Sequence, residues 1–381
     1  MTTPTLPLPE MFDYSLQIIE RMMETVEYFP ERCEDGRWIY AEKERIPSHW
    51  IDGFWVGLLW LAYAHTGDPK FEAAARQWAD RLAWLRTETR THDLGFIFYL
   101  ANVLGARATG DESLLPYALE AAQTFVSGRY NPRGEYLQAW GRVDGPPIER
   151  GRTNIDLMMN LSLLFWASKY SGDPNYAKSA ANHARTTRLV LVRPDGSTAH
   201  VGDFNPETGA FLRQETHQGL SHASCWSRGQ GWALYGFANC YRHTGDEVFL
   251  YTARRLAEYV IANAPADLVP FWDYDSLDIP NTYRDSSAAA VIAAGLLELV
   301  DLEIDDQLAA KWRQYAADVL QSLWNNYSSR GTDIPAILLH GSRSVPHGKA
   351  DHALIYGDYY FVEALVRLSN PTLSQKLFLE V

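Results

Sequence analysis

Cysteine is scarce in this chain, and the three residues present (Cys33, Cys225 and Cys240) are odd in number. A disulfide framework is therefore excluded, and a reducing, cytoplasmic setting is expected. Long apolar runs are missing too. No stretch reaches membrane-spanning length, and the opening MTTPTLPLPEMF lacks the basic flank and apolar core of a secretion signal. Positive charge is in deficit, 34 Lys and Arg against 47 Asp and Glu, for a net charge of −13. Nucleic acid and anionic membrane are thereby disfavoured as partners. A small anion held by a few arginines in a pocket is not. No Ser/Gly tract, charge block or low-complexity run marks a linker, so one domain spanning 1–381 is expected from a chain that is 46% hydrophobic. The motifs of metal and cofactor chemistry are absent: HExxH, CxxC, the phosphate-binding loop, the dinucleotide fingerprint and GxSxG do not occur. No metal and no cofactor is expected.

What the chain does have is repetition. Six stretches open on a polar residue and run at once into an apolar, aromatic-rich helix. They start at Asp52, Asp93, Asp156, Arg228, Asp285 and Asp358. Four of them end in one kind of turn: Thr66-Gly67-Asp68, Thr109-Gly110-Asp111, Ser171-Gly172-Asp173 and Thr244-Gly245-Asp246. Glycine just past a helix accepts the left-handed conformation, and the following aspartate caps the next helix. The partner helices, over 71–86, 114–126, 176–189 and 248–263, mix alanine, charge and apolar residues as a half-wet outer layer does. Repeated helical hairpins make a solenoid or a closed ring. The amphipathic segment 10–29 has no inner partner before it and would supply the missing outer helix. The fold expected is all-α, an (α/α)6 barrel of twelve helices. Links from outer to inner helices are long (127–155, 190–227, 264–284, 327–357) and all fall at the mouth that bears the inner-helix N-termini. Short extended pieces are expected there at 198–201 and 210–212. Loops over a rigid scaffold are where function concentrates, and the helix dipoles would favour an anion at that mouth.

Aspartate at a helix start is first of all an N-cap, and taken singly that is the expected role of Asp52, Asp93, Asp156, Asp285 and Asp358. Taken together they place several carboxylates in one cleft, as acid–base work on a sugar requires. The stretch from Thr216 to Trp232 is dense in polar side chains, Gly and Trp, and its Arg228 would be a natural fork for a carboxylate. The histidines are scattered, and each is by default a hydrogen-bonded loop residue. Cys225 reads as a small packed residue. Trp55 and Trp60 fall inside an inner helix and belong to the core, whereas Trp50 and Trp140 are equally suited to core or sugar platform.

Seven blocks in order carry a specific resemblance: HDLGF (92–96), QAWG (138–141), NIDLMMN (154–160), THQG (216–219), WSRGQGW (226–232), YRDSSA (283–288) and YGDYY (356–360). Together they resemble the unsaturated glucuronyl hydrolases, glycoside hydrolase family 88, whose fold is an (α/α)6 barrel. The resemblance implies removal of a 4,5-unsaturated glucuronic acid from the non-reducing end of lyase-derived glycosaminoglycan fragments by hydration of the C4=C5 vinyl ether. It implies Asp156 as general acid/base and Asp93 as the second carboxylate. It implies Trp50, Phe54, His92, Trp140, His200, Gln218, Arg228 and Trp232 as the subsite lining. Family members that favour sulfated disaccharides carry Ser-x-x-Ser-x-Lys in the last long loop. Here Ser344 and Lys349 stand at the ends of that pattern with His347 at its middle, where a sulfate-binding loop and a solvated basic loop are equally expected. The partners implied are unsaturated uronate-terminated di- and oligosaccharides, taken up by a monomer or weak homodimer. A rhamnogalacturonyl hydrolase with the same chemistry, a sugar epimerase on the same ring and a non-enzymatic helical scaffold remain alternatives.

Overall fold

A helix that is apolar on every side must sit inside a protein, and one with a single apolar stripe lies at the surface. Both kinds alternate along this chain. The computed structural model describes residues 6–43 and 45–379. Its helices in chain order begin with α1 (Leu8–Thr25), α2 (Asp52–Thr66), α3 (Pro69–Asp80), α4 (Leu94–Phe98), α5 (Leu104–Thr109) and α6 (Leu115–Arg129). After the short α7 (Pro147–Arg150) come α8 (Leu157–Ser171), α9 (Pro174–Leu191), α10 (Ser227–Thr244), α11 (Glu247–Ala262), α12 (Ser286–Val300), α13 (Asp306–Ser322) and α14 (Ile355–Ser369). From α2 the inner contacts run through α4, α8, α10, α12 and α14 and return to α2, closing a ring. Each inner helix is backed by its own outer one, and α1 packs on α14 to complete the outer layer. The stripe is explicit in α3, which buries Phe71, Ala75, Trp78 and Ala79 and leaves its charged residues outside. This is the barrel expected from the hairpin repeat.

The four repeated turns are built as their residues dictate. Gly67, Gly110, Gly172 and Gly245 all adopt positive φ, between 65° and 80°. The aspartates that follow accept hydrogen bonds from Lys70, Ser113, Asn175 and Val248 N–H groups. One inner helix departs from the expectation. Between α4 and α5 the chain makes a π turn, Tyr99–Val103. Within it the Ala101 carbonyl accepts the Trp60 indole N–H at 2.7 Å, a side-chain donor at a ladder carbonyl of the kind that accompanies such irregularities. The first and third segments also end earlier than expected: α1 stops at Thr25 and α3 at Asp80.

At the mouth the capping expectation is corrected for four of the five aspartates. Only Asp285 caps its helix by side chain, accepting from Ser287 and Ala288 N–H. Asp52 instead receives His49 Nδ1 at 2.7 Å. Asp358 lies inside α14 and accepts the N–H groups of Ile337 and Leu338. For α4 the capping acceptor comes from elsewhere, Asn160 Oδ1 taking the Phe96 N–H at 2.9 Å, which releases Asp93. Asp156 makes no capping bond.

Strands cover this mouth. A hairpin of β1 (Pro30–Glu34) and β2 (Arg37–Tyr40) and a short pair of β3 (Tyr130–Asn131) and β4 (Tyr136–Leu137) lie in the links from outer to inner helices. β5 (Arg152–Asn154), β6 (Val201–Phe204) and β7 (Phe211–Glu215) form an antiparallel sheet, and β8 (Ala353–Leu354) extends β1. The extended pieces expected at 198–201 and 210–212 therefore exist, displaced toward the C-terminus.

Candidate active site

Asp93 and Asp156 meet because two inner helices approach closely. Gly95 makes this approach possible, since a Cβ there would lie 2.4 Å from the Asn160 Cα. Asn160, one turn along α8 from Asp156, then donates to Asp93 Oδ1 at 3.3 Å while holding the head of α4 with its oxygen. The sheet adds His200: Asn154 on β5 pairs with Val201 on β6, and Ile155 N–H bonds the His200 carbonyl at 2.9 Å. The residue before β6 is thereby set beside the residue after β5.

The electrostatics follow from burial. Desolvation lifts Asp93 to about 7, against smaller opposing effects of the Asn160 hydrogen bond and the Arg129 charge. Asp156 is likewise raised to about 7 by desolvation and then by the charge of Asp93, with Arg228 opposing. Two interacting carboxylates of this kind share one proton near neutrality. Burial drives both His92 and His200 well below the ordinary imidazole range, so both are neutral. His200 Nδ1 accepts from the N–H groups of His217 and Gln218, and His92 Nδ1 accepts from the Trp140 N–H. The proton of each ring is therefore on Nε2. For His92 that atom lies 3.5 Å from Asp93 Oδ2.

These groups open into a cavity of about 680 Å³ at the mouth. Trp50, His92, Asp93, Trp140, Asp156, Gln218, Arg228, Trp232, Ser344, His347 and Lys349 all line it. Phe54 is the correction. It is 0% exposed and packs behind the wall against Trp50, Phe96 and Tyr356, because its place on α2 faces the ring's axis below the pocket. His200 is nearly buried and acts on the pocket only through its edge toward Asp156. Arg228 does not present a free fork. Its guanidinium is committed to Asp285 at 2.6 Å and to the carbonyls of Ser342 and Arg343, each at 2.6 Å, between the rings of Trp226 and Tyr356.

Arg45, Arg152, Glu215, Thr216, His217, Trp226 and Arg343 also line the cavity and were not singled out as site residues from sequence. His217 and Trp226 stand in the dense 216–232 stretch, a signal that was there to use. Arg45, Arg152 and Arg343 carry no local signal; the folding of separate loops gathers them. Five Arg and Lys side chains thus face three Asp and Glu in the pocket, although the chain as a whole is acidic. Together with the inner-helix N-termini this suits an anionic ligand. Among the described residues no group of three or more His, Cys, Asp and Glu is placed to hold a metal, and no helix is long and apolar enough to cross a membrane.

A twelve-helix ring with a protonatable carboxylate pair in a cationic, aromatic-walled pocket defines a glycosidase of the (α/α)6 class. The glycosyl hydrolase family 88 model matches residues 19–369, and the chain belongs to that family. It is 39% identical over 333 residues to an unsaturated glucuronyl hydrolase of Bacillus sp. strain GL1, covering 85% of this chain and 87% of that one. An unsaturated chondroitin disaccharide hydrolase of Streptococcus pneumoniae is 36% identical over 329 residues, covering 84% and 82%. The crystal structure of the unsaturated glucuronyl hydrolase from Bacillus sp. GL1 superposes with a TM-score of 0.91 at 34% identity, covering 96% of this chain and 98% of that one.

Proposed function

We propose that this glycosidase removes 4,5-unsaturated glucuronic acid from the non-reducing end of lyase-generated glycosaminoglycan oligosaccharides, with Asp156 as the general acid. The observation that carries the assignment is Asp156 itself: a carboxyl lifted to about 7 by desolvation and by Asp93, set at the edge of a pocket that suits an anion. The vinyl ether of the unsaturated sugar needs one proton at C4 and one water at C5. Asp156 gives its proton to C4, and the ring oxygen stabilises the cation that forms at C5. Water adds at C5 and returns its proton to Asp156. The resulting hemiketal opens, C1 becomes a hemiacetal, and the remaining glycan leaves as its alcohol. His200 Nε2–H, 3.9 Å from Asp156 Oδ1, holds the water or the sugar carboxylate. Trp50 and Trp140 supply flat faces for the ring, and Trp232, 1% exposed, closes the floor beneath it.

Ser344, His347 and Lys349 lie on the same rim. Ser344 Oγ meets His347 Nδ1 at 2.7 Å, and His347 packs on His217. We assign this loop to a sulfate on the second sugar. The decisive test of the whole reading is loss of the ultraviolet absorbance of an unsaturated chondroitin disaccharide. No bleaching by the wild-type protein, or undiminished bleaching by Asp156→Asn, would overturn it. Solvent deuterium in an uncleaved product would instead identify an epimerase, and turnover confined to unsaturated rhamnogalacturonan fragments would identify the pectin-directed enzyme.

A further inference from the structure

Arg129 ends α6 and is almost completely buried, at 2% exposure, yet none of its hydrogen bonds goes to a carboxylate. Its five bonds all go to backbone carbonyls. Nε takes Thr91, one terminal nitrogen takes Gln138 and Trp140, and the other takes Thr89 and Gly141, at 2.6 to 3.2 Å. Thr89 and Thr91 belong to the segment that delivers His92 and Asp93. Gln138, Trp140 and Gly141 belong to the segment that delivers the pocket's Trp140 wall. The two segments otherwise meet through Trp140 N–H on His92 Nδ1. Trp140 also has φ of 43°, a conformation a bulky residue keeps only when its surroundings over-determine it. Its carbonyl is held twice, by Arg129 and by the Gln138 amide at 3.0 Å.

We infer that Arg129 is a positioning residue of this site, tying the Asp93 segment to the Trp140 segment and setting, through its unneutralised charge, which carboxylate of the pair is ionised. The inference rests on the assignment of Asp156 as acid. Asp93 is faced by Arg129 from α6, by Asp156 just before α8 and Asn160 within it, and by His92 on its own segment. Arg129 is faced in turn by Asp93 and by Glu88, and Glu88 is itself paired with Arg90 at 2.6 Å. Arg228 acts on Asp156 from the other side. Arg228 is paired with Asp285 at 2.6 Å, whereas Arg129 bonds only carbonyls; its charge favours ionised Asp93, which leaves the shared proton on Asp156, the arrangement the reaction uses.

Arg129→Lys keeps the charge and loses the fork; Arg129→Met loses both. Both are to be compared with wild type for kcat against pH, for thermal melting, and for the Asp93 carboxyl titration followed by carbon-13 NMR in the ligand-free protein. We expect Arg129→Lys to lose about tenfold or more in kcat with the pH limbs unmoved, as misplacement alone does. We expect Arg129→Met to lose more, with the acid limb and the Asp93 titration both displaced to higher pH. The NMR titration needs no substrate, so an unmoved Asp93 in Arg129→Met overturns this inference even if the proposed activity fails. An Arg129→Lys protein that melts as wild type does and keeps full kcat overturns the positioning role. A kcat that falls in Arg129→Lys only as far as the folded fraction does overturns it as well.

Discussion

His200 Nε2 faces Asp156 Oδ1 across 3.9 Å, and neither atom has a hydrogen-bond partner among the described residues. Buried polar atoms are normally satisfied, and leaving one unpaired costs about 1–3 kcal/mol. Two of them aimed at one spot mark a place that substrate or water completes. An asparagine amide in place of the imidazole can keep the acceptor that holds the His217 and Gln218 N–H groups while losing the donor at Nε2. His200→Asn should therefore melt close to wild type while kcat drops by about 10²-fold. Unchanged turnover would remove His200 from the reaction.

The carboxylate pair fixes the pH profile. Asp93 and Asp156 are each lifted to about 7, and the competent form carries a single proton. As pH falls the second carboxylate is protonated, and as pH rises the last proton is lost. A plot of kcat/KM should fall on both sides of neutrality, with apparent values that belong to the pair. A profile flat through the neutral range contradicts the shared proton.

The same shift has a cost in stability. A carboxyl whose folded pKa is raised favours the folded state at low pH, and that contribution is lost as pH rises from the unfolded value of about 3.9 to the folded value of about 7. Asp156→Asn removes a charge that burial penalises. The variant should melt higher than wild type above neutral pH and no higher near pH ~4, where the wild-type carboxyl is already protonated. Scanning calorimetry at two pH values decides it; equal gains at both would locate the effect elsewhere.

Gly95→Ala tests the helix approach. The new Cβ would meet Asn160 backbone atoms at 2.4 Å, and overpacking of this kind costs about 1–3 kcal/mol. We expect a lower melting temperature and a disproportionate loss of kcat, since α4 would move Asp93 away from Asp156. Wild-type values for both would show that the contact relaxes without consequence.

Lys349→Ala should reduce kcat/KM for a sulfated unsaturated disaccharide by about tenfold, as for one charge-assisted contact, and leave the unsulfated one within about twofold. Desolvation and then Arg343 lower the Lys349 pKa from its ordinary value. Equal losses on both substrates would assign the loop to general electrostatics rather than to sulfate.

Much of this architecture was legible in the chain. Each Thr-Gly-Asp or Ser-Gly-Asp turn carries its own conformational instruction, and six polar-headed apolar segments already imply an inner ring. Asp93 and Asp156 stand at the heads of two such segments, where the pattern alone did not separate them from Asp52, Asp285 and Asp358; only the family blocks singled them out. What escaped depended on contacts between distant loops. The roles of Asp52 and Asp358 are set by His49 and by the 337–338 backbone, and no rule about helix starts could name those partners. Arg228 showed its chemistry but not its target, Asp285, which lies 57 positions away. Phe54 sat in the inner-helix segment that starts at Asp52, yet only the packing reveals that it stands one layer behind the pocket.

Trp232 closes the bottom of the pocket, with ring centroids 5.3 Å from Phe96 and 5.4 Å from Tyr360, and these last two line a separate small void of about 40 Å³ beneath it. Among the described residues, Trp232 thus stands as a floor between the pocket and that void. A floored pocket suits the end of a sugar chain better than an internal stretch of polymer.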